Sequence, residues 1–133
     1  MVIESINISS QLKNISDIEN LIDRVSSAIS ITEERYGDIL ISVTEAFNNA
    51  VIHGNKFDLN LPVSVNVSED DSYLTFTISD GGKGFDYTHL PDPTAPENLE
   101  TDCGRGIFLI QNLSDKVSFN EKGNVINISF LLK

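Results

Sequence analysis

Two neighbouring runs of alternating apolar and polar residues constrain the fold of this 133-residue chain most strongly. In residues 63–68 a valine alternates with a serine or an asparagine, and in residues 74–79 Leu, Phe and Ile alternate with Thr and Ser. A period of two is the pattern of a strand with one buried and one solvated face. The polar turn at residues 69–72 predicts that the two strands pair as a hairpin, so we expect helices to cover the apolar face.

Two helical patterns precede this hairpin. Residues 16–19 (S-D-I-E) have the spacing of a capping box, which predicts that a helix begins there. Apolar side chains recur at helical intervals over residues 18–29 and form one packing face. Thr32 can cap a second helix, which we expect to reach about His53 before Gly54 stops it.

The other segments complete the set of expected elements. Residues 2–8 suggest a short strand. Residues 81–103 show no sustained period, contain three of the four prolines and are longer than most ordered connections, which is typical of functional or mobile loops. We expect a short helix over about residues 104–113 and then a closing hairpin of residues 117–119 and 125–132.

The charge balance limits the ligands that such a chain can bind. Nine Lys and Arg stand against 20 Asp and Glu, which gives a net charge of −11. This sign disfavours nucleic acids and anionic membranes, so a phosphate ligand would be held by metal ions, backbone N–H groups or a local Arg. The first residues show neither a signal peptide nor a membrane span, so we expect a cytoplasmic protein. Cys103 is the only cysteine, which excludes an internal disulfide and a cysteine-cluster metal site.

Three segments depart from the pattern of core elements, and the first lies on the second helix. Glu45, Asn49 and His53 recur every four residues, so each lies about 40° from the last on the helical wheel, beside the buried face. A carboxylate and a carboxamide oxygen on the rim of a cleft suit Mg²⁺, and the carboxylate can also act as a general base. Taken alone, the stripe fits an ordinary solvated helix edge equally well.

The second segment, residues 80–85 (D-G-G-K-G-F), follows a strand directly. Its glycines let a ligand approach the backbone closely, and Asp80 can accept a hydrogen bond from an amine. The segment matches neither the dinucleotide fingerprint nor the phosphate-binding loop with its lysine. Taken alone, it also fits a plain glycine-rich turn.

The third segment, Gly104-Arg105-Gly106, leads into the apolar run that begins at Ile107. N–H groups at a helix start, together with the helix dipole, form an anion site that glycines leave accessible. Arg105 can contact a phosphate there or lie in solvent, and the glycines also fit a merely flexible helix entry. An anion site here would let an acidic chain hold a phosphate ligand.

The order and spacing of the three segments resemble a known family. The patterns E-A-x-x-N-A-x-x-H-G on a helix, D-G-G-x-G after a strand and G-R-G before a helix resemble the N, G1 and G2 boxes of the Bergerat-fold (GHKL) ATPases. The chain looks most like the anti-sigma factor serine/threonine kinases, because residues 53–56 (H-G-N-K), the proline-rich segment and residues 104–110 fit that branch. The resemblance runs from about residue 15 to the C-terminus. An autonomous histidine kinase is not expected, since it needs an upstream dimerisation helix pair that carries a phospho-acceptor His. Fewer than 50 residues precede Glu45, and histidine occurs only at positions 53 and 89.

The resemblance implies a fold and its ligands. The fold would be a two-layer α/β sandwich of the α+β class, one histidine-kinase-like ATPase domain over residues 1–133 with a mixed, mostly antiparallel sheet and helices on one face. ATP and Mg²⁺ would bind between the helices and an ATP lid at about residues 85–103. Glu45 would be the catalytic base, and Asn49 would coordinate Mg²⁺.

The resemblance also implies which residues contact the nucleotide. Asp80 would accept a hydrogen bond from the adenine amino group, Gly82 and Gly84 would shape the base pocket, and His53 would orient the lid or be structural. The full set of implied nucleotide-binding residues is Asn49, His53, Asp80, Gly82, Gly84, Phe85, Gly104, Arg105, Gly106 and Ile107.

Finally, the resemblance implies an activity and partners. The chain would be an ATP-dependent serine/threonine protein kinase and a bacterial anti-sigma factor, which sequesters a sigma factor and phosphorylates an anti-anti-sigma (STAS-domain) protein. It would form a homodimer and bind neither nucleic acid nor membrane directly. The alternative is a non-catalytic ATP-binding module that switches a partner by ordering its lid. A domain without a nucleotide site would require all three spacings to arise by coincidence.

Overall fold

The computed structural model describes residues 2–82, 102–120 and 124–132, which contain a five-stranded sheet. The strands are β1 (Val2–Ile8), β2 (Val63–Glu69), β3 (Tyr73–Ser79), β4 (Lys116–Phe119) and β5 (Val125–Leu131). They lie in the order β1-β2-β3-β5-β4, and each neighbouring pair is antiparallel. Gly84, Phe85 and most of the expected lid lie outside the described residues.

The sheet confirms both expected hairpins. β2 pairs with β3 so that Val65 lies opposite Ile78 and Val67 opposite Phe76, and all four side chains are buried. β4 pairs with β5, and β5 in turn pairs with β3, which places β3 at the centre of the sheet. The polar side chains of the alternating runs therefore lie on the opposite face.

Three α-helices cover the apolar face of this sheet: α1 (Ile15–Ile29), α2 (Glu33–Asn49) and α3 (Asp102–Leu113). The expected apolar face of α1 is buried, with Ile18, Leu21 and Ile22 each 0% exposed. The expected two-layer α+β fold is thus confirmed. Among the described residues, no helix combines the length and the apolar character needed to cross a membrane.

The start of α1 differs from the capping box that the sequence suggested. A 3₁₀ turn, Leu12–Asn14, runs directly into α1 at Ile15, so the backbone is already helical before Ser16. The Asn14 side chain donates to the carbonyl and the hydroxyl of Ser9 and makes no capping bond to the helix. The expected start at residues 16–19 was wrong because this contact to Ser9 holds the preceding turn in place.

The start of α2 agrees with the sequence. The hydroxyl of Thr32 accepts a hydrogen bond from the N–H of Arg35 at 3.2 Å, which is the expected N-cap. After Asn49 the chain continues as a π-helical turn, Ala50–Gly54, so the helical segment ends at Gly54 as expected but with a wider last turn.

Candidate functional site

Three chain segments that the sequence singled out end at the same side of the fold. They are the C-terminal end of α2 with its π-turn, the turn after β3, and the first turns of α3. Close approaches at glycines join these segments in two pairs.

The first close approach joins α2 to α3. A Cβ atom added to Gly106 would lie 3.0 Å from Oε2 of Glu45 and 3.0 Å from Nδ2 of Asn49. Two of the three side chains of the predicted polar stripe thus face the first turns of α3, and they pack so closely on Gly106 that even a methyl group there would crowd them. The fold therefore brings together the carboxylate, the carboxamide and the glycine that the sequence had placed in separate boxes.

The carboxamide of Asn49 has an unusual environment. Its Nδ2 is buried and has no hydrogen-bond partner within the part of the chain that is described. A buried amide donor without a partner costs free energy, which a hydrogen bond to a ligand would recover. The neighbouring Glu45 is only partly buried, and its Oε2 lies beside the same glycine.

This donor set fits a metal ion that arrives together with a phosphate ligand. Over the described residues, no group of three or more His, Cys, Asp or Glu side chains could hold a metal by itself. Mg²⁺ in phosphoryl-transfer sites commonly takes one or two protein oxygens and completes its shell with phosphate oxygens and water. The carboxamide oxygen of Asn49 could serve as such a protein ligand, with the Glu45 carboxylate beside it left to accept a proton.

The π-turn changes the geometry of the third member of the polar stripe. The N–H of Asn55 donates to the carbonyl of Ala50 at 2.7 Å, a bond that spans five residues instead of four. The angular step of an α-helix does not apply in such a turn, so the helical wheel does not fix the direction of His53. The structure places His53 in this turn with its side chain exposed.

The second close approach joins the π-turn to the turn after β3. A Cβ atom on Gly54 would overlap the carboxylate of Asp80, and one on Gly82 would overlap the carbonyl oxygen of Gly54. Oδ1 of Asp80 accepts a hydrogen bond from the N–H of Gly82 at 2.8 Å. Both glycines are therefore needed for this packing, which sets the Asp80 carboxylate against the backbone of the π-turn.

Asn124, the residue directly before β5, holds Asp80 from the other side. The N–H of Asp80 donates to the carbonyl of Asn124 at 2.9 Å, and Nδ2 of Asn124 donates back to the carbonyl of Asp80 at 3.3 Å. The backbone of Asp80 is thus fixed at the end of the β3–β5 pair, directly after the last paired residues Ser79 and Val125.

The start of α3 lies two residues before the expected position. Since α3 begins at Asp102, Gly104 and Gly106 lie within its first turns, and the free N–H groups of the helix belong to residues 102–105. The side chain of Arg105 lies outside the described part. The side chain of Ile107 is 2% exposed and packs in the core, so only its backbone can reach a ligand.

Asn55 is a residue of the site that the sequence did not single out. Asn55 is 2% exposed, and its Oδ1 accepts a hydrogen bond from the N–H of Gly81 at 2.7 Å. In the sequence, Asn55 was noted only as part of the family pattern H-G-N-K, directly after Gly54. Its partners are far away in sequence, so no local periodicity reveals them.

Comparison with known proteins places this geometry in a family. The chain matches the model of the histidine kinase-like ATPase domain over residues 8–130. It is 30% identical over 128 residues to the serine-protein kinase RsbW of Staphylococcus aureus strains JH9, Newman and JH1, and the match covers 90% of this chain and 80% of each relative. Together with the two-layer fold and the convergence of the three boxes, these matches show that the chain belongs to the histidine kinase-like ATPase family, in the branch of the anti-sigma factor serine/threonine kinases.

Proposed function

We propose that this chain is an ATP-dependent protein kinase that acts as an anti-sigma factor. It sequesters a sigma factor and phosphorylates a serine or threonine of an anti-anti-sigma, STAS-domain partner. Membership in an ATPase family implies ATP binding, and the named relatives are serine-protein kinases. The observation that carries the proposal is the position of the Glu45 carboxylate beside the Asn49 carboxamide, whose Nδ2 has no partner among the described residues, with both side chains packed against Gly106.

The nucleotide would lie along the line from Asp80 to the start of α3. The Asp80 carboxylate accepts a hydrogen bond from the adenine amino group, and Gly82 forms part of the base pocket with Gly84 and Phe85. The N–H groups at residues 102–105 and the Arg105 guanidinium hold the phosphates. His53 would orient the ATP lid.

Asn49 would hold Mg²⁺ through its carboxamide oxygen. When bound, Mg²⁺ neutralises charge on the phosphates. This assignment explains how a chain with a net charge of −11 can bind a polyanion, because the contacts to the phosphates come from a metal, from backbone N–H groups and from one arginine.

Glu45 would act as the general base. It takes the proton of the partner's Ser or Thr hydroxyl, while the hydroxyl oxygen forms a bond to the γ-phosphorus of ATP. The bond between that phosphorus and the oxygen bridging to the β-phosphate breaks, and ADP leaves with the electron pair. The N–H groups at the start of α3 stabilise the charge that develops on the transferred phosphoryl group.

Labelled ATP tests this proposal against its alternative. The purified chain is incubated with γ-labelled ATP, Mg²⁺ and a purified STAS-domain partner, and the partner is analysed for phosphoserine or phosphothreonine by mass spectrometry. Transfer to the partner supports the kinase. Binding of ATP without transfer would instead support a non-catalytic module that switches a partner through its lid, and absence of ATP binding would refute both.

The charge of the chain bears on the sigma-factor partner. Asp17, Glu19 and Asp23 are exposed on α1, and an acidic surface attracts a basic surface of a partner at long range. Association with a sigma factor should therefore slow as salt is added. An association rate that does not change with salt would contradict this part of the proposal. Such a partner would also place the protein in the cytoplasm, without direct contact to nucleic acid or membrane.

A homodimer is proposed through the outer face of the sheet. The outward positions of β2, β3 and β5 carry no charged side chain; they include Ser64, Asn66, Thr75, Thr77, Asn127 and Ser129. Cross-strand hydrogen bonds already order several of these side chains, such as Thr77 to Asn127 at 2.7 Å. Two acidic copies can meet there with little charge repulsion. Sedimentation equilibrium should give a dimer for the wild type and a monomer for Thr77→Lys, while Ser27→Lys on α1 stays dimeric; a monomeric wild type would refute the dimer.

A further inference from the structure

Asn55 connects four segments of the chain through one buried side chain. Its Oδ1 accepts the N–H of Gly81 at 2.7 Å, while Nδ2 donates to Oγ of Ser10 at 2.9 Å and to the carbonyl of Leu61 at 2.6 Å. A longer bond from Nδ2 reaches the carbonyl of Pro62 at 3.3 Å. At 2% exposure the side chain uses both ends of its carboxamide on protein partners, so its orientation is fixed.

Ser10 is the second member of this network. It lies just after β1, is 1% exposed, and its hydroxyl donates to the carbonyl of Leu61 while accepting from Nδ2 of Asn55. Ser10 therefore orients the amide end of Asn55 and ties the loop before β2 to the end of β1.

The backbone after Asn55 is held in a conformation that L residues rarely adopt. Lys56 and Phe57 have φ angles of 51° and 62°, in the left-handed region, and the N–H of Phe57 donates to the carbonyl of Val51 at 2.9 Å. Two consecutive left-handed residues that are not glycine cost free energy. These two residues directly follow Asn55, whose side chain is bonded to Gly81.

We propose that Asn55 is a positioning residue for nucleotide-base recognition, and that Ser10 holds it in place. The hydrogen bond from Gly81 to Asn55 fixes the turn between Asp80 and Gly82, so that the Asp80 carboxylate stays aimed at the amino group of adenine. This inference rests on the proposed nucleotide site. It extends that site to Ser10, just after β1, and to the loop before β2. Asn55 itself touches no ligand; it acts through the turn that carries Asp80.

Amide hydrogen exchange tests the contact without any ligand. In the uniformly ¹⁵N-labelled, nucleotide-free chain, Asn55→Ala removes the acceptor of the Gly81 N–H, whose exchange should accelerate about tenfold or more, the order expected for loss of an ordered hydrogen bond. Ser10→Ala keeps Oδ1 of Asn55 as the acceptor but holds it less firmly, so the Gly81 exchange should accelerate only a few-fold. This variant provides the test if Asn55→Ala does not fold. The Tyr73 N–H, which donates to Asp70, serves as an internal reference that should not change.

Ser9→Ala is the matched control for Ser10→Ala. Ser9 is the adjacent serine, and its hydroxyl accepts from Gln11 and Asn14 without contacting Asn55. The Gly81 exchange rate in Ser9→Ala should equal that of the wild type. An unchanged rate in the folded Asn55→Ala variant, or a rate in Ser10→Ala no faster than in Ser9→Ala, would overturn the proposed network.

Base selectivity provides the functional readout. ITP carries a carbonyl where ATP carries the amino group that Asp80 is assigned to recognise. The ratio of ATP affinity to ITP affinity should therefore fall about fivefold in Asn55→Ala and less in Ser10→Ala, the factor that one hydrogen bond of ordinary strength contributes. A merely structural role would lower both affinities by the same factor, and that result would refute positioning. A wild type that binds no ATP would refute the proposed function instead, and the exchange rates would still decide whether Asn55 orders the turn.

Discussion

Replacing Gly106 with alanine should have opposite effects on stability and on nucleotide binding. Gly106 is an interior residue of α3, and an alanine in a helix interior is favoured over glycine by about 1 kcal/mol. The added methyl group would lie 3.0 Å from Oε2 of Glu45 and from Nδ2 of Asn49, so both side chains must move by a few tenths of an ångström. Since these are the free ends of side chains, the fold tolerates the shift.

The nucleotide site would not tolerate it. The methyl group displaces the carboxamide of Asn49, assigned to Mg²⁺, and the carboxylate of Glu45, assigned to proton transfer. We expect the melting temperature to stay unchanged or to rise by up to about 5 °C, because about 1 kcal/mol shifts a chain of this size by that order. The affinity for ATP with Mg²⁺, measured by calorimetry, should fall by about tenfold or more, which corresponds to about 1.4 kcal/mol.

Gly37→Ala is the matched control. Gly37 lies in the interior of α2, and a Cβ atom there meets nothing within 4 Å. This variant should show the gain in stability without any loss of ATP affinity. If Gly106→Ala binds ATP as tightly as Gly37→Ala does, then the packing of Gly106 on Glu45 and Asn49 does not shape the nucleotide site.

Three further variants probe single residues. Glu45→Gln should abolish phosphoryl transfer to the partner and keep ATP affinity within about threefold, because the carboxamide keeps the shape but cannot take a proton; a Glu45→Gln variant that still transfers phosphate would contradict the base assignment. Asn49→Ala should weaken ATP binding in the presence of Mg²⁺ and abolish the difference between titrations with Mg²⁺ and with EDTA, whereas a wild type without such a difference would exclude the Mg²⁺ role. Asp70 accepts the N–H groups of Ser72 and Tyr73, which lowers the pKa of its carboxyl. Its contribution to stability is present above the unfolded pKa of about 4 and is lost as pH falls through the lower folded value. Between about pH 7 and about pH 3, the melting temperature should fall less steeply for Asp70→Asn than for the wild type. Equal slopes would exclude this contribution.

Much of the fold was accessible from the sequence because it depends on regular, local patterns. The period of two over residues 63–68 and 74–79 follows directly from burial of one sheet face, and the register confirms it. The placement of Glu45 and Asn49 on one side of α2 was correct for the same reason, since both lie in regular α-helix where the step per residue is fixed.

The features that the sequence did not reveal depend on tertiary contacts or on irregular backbone. The start of α1 is set by the bonds from Asn14 to Ser9, which outweigh the capping box suggested at residues 16–19. The wide turn Ala50–Gly54 has no propensity signature, so the direction of His53 could not be read from a helical wheel.

Asn55 illustrates the same limit at the site itself. It bonds to Ser10 and to Gly81, which are 45 and 26 residues away in the chain. Only the folded backbone brings these groups together, so a single sequence marks Asn55 as part of a motif without saying what it holds.

The central claim is that the three boxes form one nucleotide site, and an NMR titration tests it most directly. Adding ADP with Mg²⁺ to the ¹⁵N-labelled chain should shift the side-chain amide of Asn49 and the backbone amides of Gly82 and Gly106 along one saturation curve with a single Kd. Resonances of the distant helix end near Thr32 should stay in place. Shifts in only one of the three boxes, or saturation at clearly different nucleotide concentrations, would contradict the account.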